Sequence, residues 1–179
     1  MGRAQTNIKD AEAVQHRYRD NFARHALGLA RYLQSQAMHT LREKKGHQGL
    51  RLNFEPYIAL SGPRGSRLSD IADTLEISRQ SANQTANAIE AAGYVTRVAD
   101  PRDGRSRLLV LTDTGKRLRR DGAQVMSGLQ RHLATLIPAA EIQASIATLT
   151  KLLKALRLPV AAGDSGVEQA GAELGGLLP

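Results

Sequence analysis

Residues 68–95 read LSDIADTLEISRQSANQTANAIEAAGYV, and this stretch decides the fold. Leu68, Ile71, Ala72 and Leu75 recur at i, i+3, i+4 and i+7, which is one face of a helix. Glu76-Ile77 then turns the chain. Ser78 stands where a hydroxyl can accept a free first-turn N–H and cap a second helix. That helix turns Ala82, Thr85, Ala86 and Ile89 inward and ends at Gly93. Its outer face is Arg79, Gln80, Asn83, Gln84 and Asn87. Two short helices joined by a tight turn read as helix-turn-helix. The major groove of DNA admits one helix, and its base edges offer the donors and acceptors that Arg, Asn and Gln match in pairs. The small alanines on the inner face let the second helix sit close to its support.

Downstream, two β-prone runs, Tyr94 to Val98 and Leu108 to Leu111, flank the segment 99–107. Pro101 and Gly104 beside Asp100 and Asp103 are turn chemistry, so a hairpin with a loop over 99–107 is expected. The hairpin makes the motif a winged one. Its loop carries Arg102, Arg105 and Arg107. An arginine at a hairpin tip suits the narrow minor groove and its negative potential. The competing use is a local ion pair with Asp100 or Asp103. Both uses are expected, some arginines stiffening the wing and one reaching DNA.

Upstream, Ala11, Val14, Tyr18, Phe22, Ala26, Leu29, Leu33, Ala37 and Leu41 lie three or four apart. This is the stripe of one long helix, closed by Lys44-Lys45-Gly46. A further helix is expected from Asn53, with Asn53 as cap and Leu52 and Tyr57 at staple spacing. Pro56 suits its first turn, and Ser61-Gly62-Pro63 stops it. Beyond the wing, Thr112 caps a helix carrying Leu118, Val125, Leu129, Leu133 and Leu136, which Pro138 breaks. A last helix carries Ile142, Ile146, Leu149, Leu153 and Leu156 up to Leu158-Pro159. Val160 to Pro179 is rich in Gly and Ala and has no basic residue, the composition of a disordered segment. Val167, Leu174 and Leu178 nevertheless share one helical face.

The 179 residues carry a net charge of +8, unevenly spread: +5 over 1–63, +4 over 64–120 and −1 over 121–179. A basic excess that stops near residue 120 and includes the helix-turn-helix and wing points to a nucleic acid. The absence of Cys excludes a disulfide scaffold, a thiol nucleophile and a thiol redox sensor, and fits a reducing cytosol. No run reaches the roughly 18 apolar residues of a membrane span. Met1 to Asp10 is too polar for a secretory signal. Met1 to Thr6 fits the loose myristoylation pattern, but Arg3 is a poor neighbour for it. The histidines, His16, His25, His39, His47 and His132, include no i, i+3 or i, i+4 pair, so no metal site is expected. No paired carboxylates or catalytic triad emerge, so the chain is read as no enzyme and as needing no cofactor. Gly163-Asp164-Ser165-Gly166 matches a protease nucleophile loop only by chance, since nothing around it reads as a β-barrel.

Leu68-Ser69-Asp70-Ile71-Ala72, Ile77-Ser78-Arg79-Gln80-Ser81, Ile89-Glu90-Ala91-Ala92-Gly93-Tyr94-Val95, Asp100-Pro101-Arg102-Asp103-Gly104-Arg105 and Leu111-Thr112-Asp113-Thr114-Gly115-Lys116 together resemble the MarR family of bacterial winged-helix regulators. The likeness spans roughly residues 10–157 and is motif-grade over 67–118. It implies a homodimer in which helices one, five and six of both subunits interlock. It also implies that two winged lobes meet successive grooves of a pseudo-palindrome. The long apolar stripes agree, because a small lobe cannot cover them.

The expected fold class is therefore mainly α with a small β-hairpin wing: a winged helix-turn-helix lobe plus a long-helix dimerisation region. Its expected parts are a dimerisation helix over 1–53, a DNA-binding lobe over 54–112, dimerisation helices over 113–158 and a tail over 159–179. Carried over by position, the resemblance puts Arg79, Gln80, Ser81, Asn83, Gln84 and Asn87 on the recognition helix. It puts Arg102, Arg105 and Arg107 on the wing, and Ser69 against phosphate. A small-molecule effector between dimer and DNA lobes is also implied, with Tyr18, Arg24, His25 and Tyr57 in the right segments. The expected function is a cytoplasmic repressor binding double-stranded DNA, with no membrane role. The other reading is a winged-helix protein-interaction module whose polar face meets an acidic partner.

Overall fold

The computed structural model describes residues 21–156; Ala11, Val14 and Tyr18, the residues past 156 and the side chain of Arg105 lie outside what it describes. Asn21 starts the first helix by accepting the N–H of Arg24 at 3.1 Å. Helix α1 spans Phe22–His39 and runs into one π-helical turn, Thr40–Lys44. The chain then leaves through Gly46, whose φ of +77° is open to glycine at little cost. A 3-10 turn at Leu52–Phe54 leads into α2, Glu55–Leu60. Here the expected cap is not made. No side chain caps α2, and Leu52 stays exposed. Phe54 is the residue that anchors this corner, buried with its ring edge-on to Tyr94 at 6.4 Å.

A two-residue strand follows, β1 at Ser66–Arg67, then α3 at Leu68–Thr74 and α4 at Arg79–Ala91. Ser78 caps α4, accepting the N–H of Ser81 at 3.1 Å. The wing is β2, Val95–Asp100, and β3, Asp103–Leu111. All three strands form one antiparallel sheet in the order β1-β3-β2. The hairpin differs from expectation. Arg107 sits in the ladder opposite Ala99, and past a register shift there Asp100 pairs with Asp103, so the loop shrinks to Pro101-Arg102. Arg, Ser and Asp are poor strand formers, so propensity truncates both strands, whereas the ladder and the bonds of Asp100 extend them. Strand β1 was not expected at all, because two residues carry no period.

Helices α5, Asp113–Leu133, and α6, Ala139–Ala155, complete the chain. Thr112 caps α5 by accepting the N–H of Gly115 at 3.1 Å, and its hydroxyl donates to the Gly93 carbonyl at 2.6 Å. The core joins Leu41, Leu50, Phe54, Tyr57, Ile58, Ile71, Ala86, Ile89, Tyr94, Val95, Leu109, Leu111, Leu118 and Val125. It lies where α2, α3, α4 and the sheet meet the middle of α5. Helix α1 has no buried residue, and α6 buries only Ile142.

Candidate nucleic-acid interface

Helix α4 divides its residues by contact. Ala82, Ala86 and Ile89 are fully buried against the core. Arg79, Gln80, Ser81, Asn83, Gln84 and Asn87 are all exposed, as the sequence pattern requires. Within that face the side chains are not equally free. The Asn83 amide donates to the Arg79 carbonyl at 3.0 Å, one turn back. The Asn87 carboxamide oxygen accepts from Arg97 at 2.7 Å. Arg97 also donates its backbone N–H to Glu90 at 3.0 Å and its guanidinium to the same carboxylate. It therefore ties the C-terminal half of α4 to β2 and takes one acceptor of Asn87 out of play. Ser69, at the start of α3, is half-buried and donates to Asp70 at 3.0 Å.

The wing is held from its base. Asp100 is only 4% exposed, and its carboxylate accepts the Arg102 N–H at 2.9 Å and two guanidinium N–H groups of Arg67 at 2.9 and 2.7 Å. These bonds favour the ionised acid, the Arg102 N–H first and Arg67 second. They hold Asp100 below the usual carboxylate range. Asp103 accepts from Ser106 at 2.7 Å. The expected salt bridge of Asp100 is thus made with Arg67, which the sequence reading missed. The Asp100 carboxylate engages Arg102 through its backbone, and the Arg102 side chain is exposed. Arg67 carried no local signal, because its partner lies 33 residues away. Arg107 is exposed on β3, and Arg105 lies on the same strand.

Between α3, α4 and the sheet opens a cleft of about 320 Å³ lined by Arg67, Leu68, Ser69, Arg79, Asn83, Arg97, Ser106 and Arg107. No carboxylate lines it. The expected effector residues are dispersed. Arg24 and His25 are exposed in the first turn of α1, where His25 Nδ1 lies 2.9 Å from the Asn21 carbonyl. Tyr57 is buried in the core, and its hydroxyl has no partner among the described residues. Tyr18 lies outside them. No cluster of three or more His, Cys, Asp or Glu suited to a metal occurs among the described residues. No described helix is long and apolar enough to cross a membrane.

A polar helix presented beside an antiparallel hairpin defines the winged helix-turn-helix class. Residues 57–106 match the model of the MarR family, and the architecture is that of MarR-family structures. The structure of CouR from Rhodococcus jostii RHA1 bound to p-coumaroyl-CoA aligns with a TM-score of 0.57 and 20% identity, over 83% of this chain and 96% of that one. The repressor CouR bound to a 23-mer DNA duplex aligns at 0.58 and 22% identity, over 74% and 92%. The MepR–DNA complex of S. aureus aligns at 0.56 and 20% identity, over 76% and 98%. No curated protein matches in sequence.

Proposed function

We propose that this protein is a sequence-specific regulator of transcription that binds double-stranded DNA as a homodimer and acts by itself, without cofactor or catalysis, in the cytoplasm. The observation that carries the reading is the exposed face of α4, Arg79, Gln80, Asn83 and Gln84, beside a cleft with four arginines and no acid. Base edges in the major groove are recognised by these side-chain types. The lobe over 54–112 meets DNA, and the segments 1–53 and 113–158 join two copies. Two lobes related by a two-fold axis then meet half-sites of a pseudo-palindrome about one helical turn apart. Ser69, Ser81, Asn87, Arg102, Arg105 and Arg107 complete the contact set.

Repression follows when the bound site overlaps a promoter. By analogy with CouR, whose structure holds p-coumaroyl-CoA, a small-molecule effector changes the spacing of the lobes. Tyr18, Arg24, His25 and Tyr57 are its proposed contacts on this chain.

The test is selection of bound duplexes from a random pool by the full-length protein, followed by titration of the enriched site. Asn83→Ala is expected to weaken that site by about 1–3 kcal/mol and to relax one base position. Equal losses on enriched and random duplexes would remove Asn83 from base reading. A pool that shows no enrichment overturns the DNA reading and leaves the protein-interaction module.

A further inference from the structure

The arginine cleft beside α4 carries one inference beyond the DNA reading, on which it rests. The alternation of the strands explains how the cleft arises. Val95, Arg97 and Ala99 share one face of β2, and their partners Leu111, Leu109 and Arg107 share the same face of β3. Near the helices this face is apolar, with Val95, Leu109 and Leu111 buried. Further out the same face carries Arg97 and Arg107. The sheet overshoots the core, and its inner face turns from apolar to cationic just where Arg79 and Asn83 of α4 stand opposite.

The arginines of the cleft are not equivalent. Arg67 is bound to Asp100, and Arg97 to Glu90 and Asn87. Their charges are matched inside the fold. Arg79 and Arg107 are exposed, and their side chains make no hydrogen bond or ion pair with the described residues. The two serines donate to acids, Ser69 to Asp70 and Ser106 to Asp103. The guanidiniums of Arg79 and Arg107 are therefore the two in the cleft with no partner among the described residues. Leu68 is the one apolar side chain in its lining, and no ring contributes. The charged and polar groups of such a lining decide what it binds. It suits a compact anion with several oxygens, and guanidinium forks match phosphate oxygens closely.

We propose that this cleft seats a single phosphate group, a backbone phosphodiester of bound DNA, shared between Arg79 of α4 and Arg107 of β3. Arg79 and Arg107 then position the lobe on the duplex without carrying sequence information, and base reading on α4 falls to Gln80, Asn83 and Gln84. Arg97 and Arg67 hold the two walls in place through their acids.

The salt dependence of binding counts the phosphates engaged, at a log–log slope of about 0.9 for each one. Titrations of a short random-sequence duplex by the full chain, at a series of salt concentrations, therefore read the site directly. If both arginines share one phosphate, the Arg79→Ala/Arg107→Ala double variant lowers the slope by no more than about 0.9 in all. Each single variant lowers it by part or all of that amount, and Arg107→Lys largely retains it. A loss near 1.8 in the double variant places the arginines on separate phosphates and overturns the proposal, as does an unchanged slope. Neither side chain has a partner among the described residues, so circular dichroism should show the variants folded.

A second arm separates the source of the phosphate. The side-chain N–H signals of Arg79 and Arg107 are followed while inorganic phosphate replaces chloride at fixed ionic strength. A response there, with a slope indifferent to the double variant, assigns the cleft to a free phosphate compound and overturns the DNA assignment. If wild type binds no duplex, the functional reading itself fails. Silence toward inorganic phosphate then removes the cleft as a phosphate site as well.

Discussion

Gly115 has space for a hydrogen and for nothing larger. A Cβ there would lie 2.0 Å from the Tyr94 carbonyl oxygen and 3.2 Å from Leu111 Cδ2. The first turn of α5 thus rests directly on the junction between α4 and β2. This explains why glycine follows Leu111-Thr112 in the motif, since any side chain would push the wing off the helix. Gly115→Ala is expected to destabilise the fold by about 1–3 kcal/mol, read from urea unfolding, although alanine is the better helix former. A variant as stable as wild type would show that the junction yields freely. Asp100 acts over a longer reach. Its folded pKa is depressed, chiefly by the Arg102 N–H and then by Arg67. Its stabilisation of the wing is therefore complete above the ordinary carboxylate range and fades as pH falls through the lower folded value. The Arg102 amide signal should keep its wing position at a pH where exposed carboxylates are already protonated, and move only below that. Asp100→Asn should abolish this acid limb. An Arg102 amide that titrates with the ordinary carboxylates would contradict the assignment.

Helix α4 depends on its first turn, because Arg79 and Gln80 sit there and the Ser78 hydroxyl satisfies one of its free N–H groups. Ser78→Ala is expected to cost about 1 kcal/mol of stability and to weaken DNA binding through fraying, whereas Ser78→Asp should keep the stability. Calorimetry and duplex titration of both variants check this. The helices were legible because their signals are local. The Ala82, Ala86, Ile89 spacing, the Ser78 and Thr112 caps and the positive-φ stop at Gly93 each act within a few residues. Glu76 was legible only as a turn, and the structure adds that it adopts a φ of +53°, unusual for a side-chain-bearing residue. What sequence did not show was set at long range. Strand β1 exists because β3 is there to pair with it. The outer wing strands exist because Asp100 meets Arg67, and the start of α2 is fixed by Phe54 against Tyr94 rather than by Asn53. The polar face of α4 was read correctly residue by residue, but its coupling to Arg97 required the fold.

Across the whole molecule, charge and apolar surface divide the labour. Four arginines bond inside the fold. Arg42 donates to the Leu50 carbonyl, Arg119 to the carbonyls of Ile58 and Ser61, Arg67 to Asp100 and Arg97 to Glu90. Lys45 and His47 bind Asp121 of α5, whose carboxyl they hold below its usual range, His47 most of all. Arg79, Arg102 and Arg107 stay exposed on α4 and the wing. The opposite resource is apolar. Phe22, Leu27, Leu29 and Tyr32 of α1, Leu136 and Ile137 after α5, and Ile146, Leu149 and Leu152 of α6 are each 41–64% exposed. Exposed apolar side chains in this number mark an interaction face. The segment from 121 onward is nearly neutral, so two copies of it would meet without strong repulsion. A two-fold pairing places the same face of each copy on its equal and leaves both winged lobes free. Sedimentation of wild type should therefore give the mass of two chains, with a melting temperature that rises with protein concentration. Introducing Ile146→Glu with Leu149→Glu should return a single chain with a concentration-independent Tm. Its affinity for a two-half-site duplex should fall by about two orders of magnitude or more, because each lobe then binds without the effective concentration its partner supplied. A wild-type chain that sediments alone at every concentration, yet binds such a duplex tightly, would overturn the pairing and leave these faces for another partner.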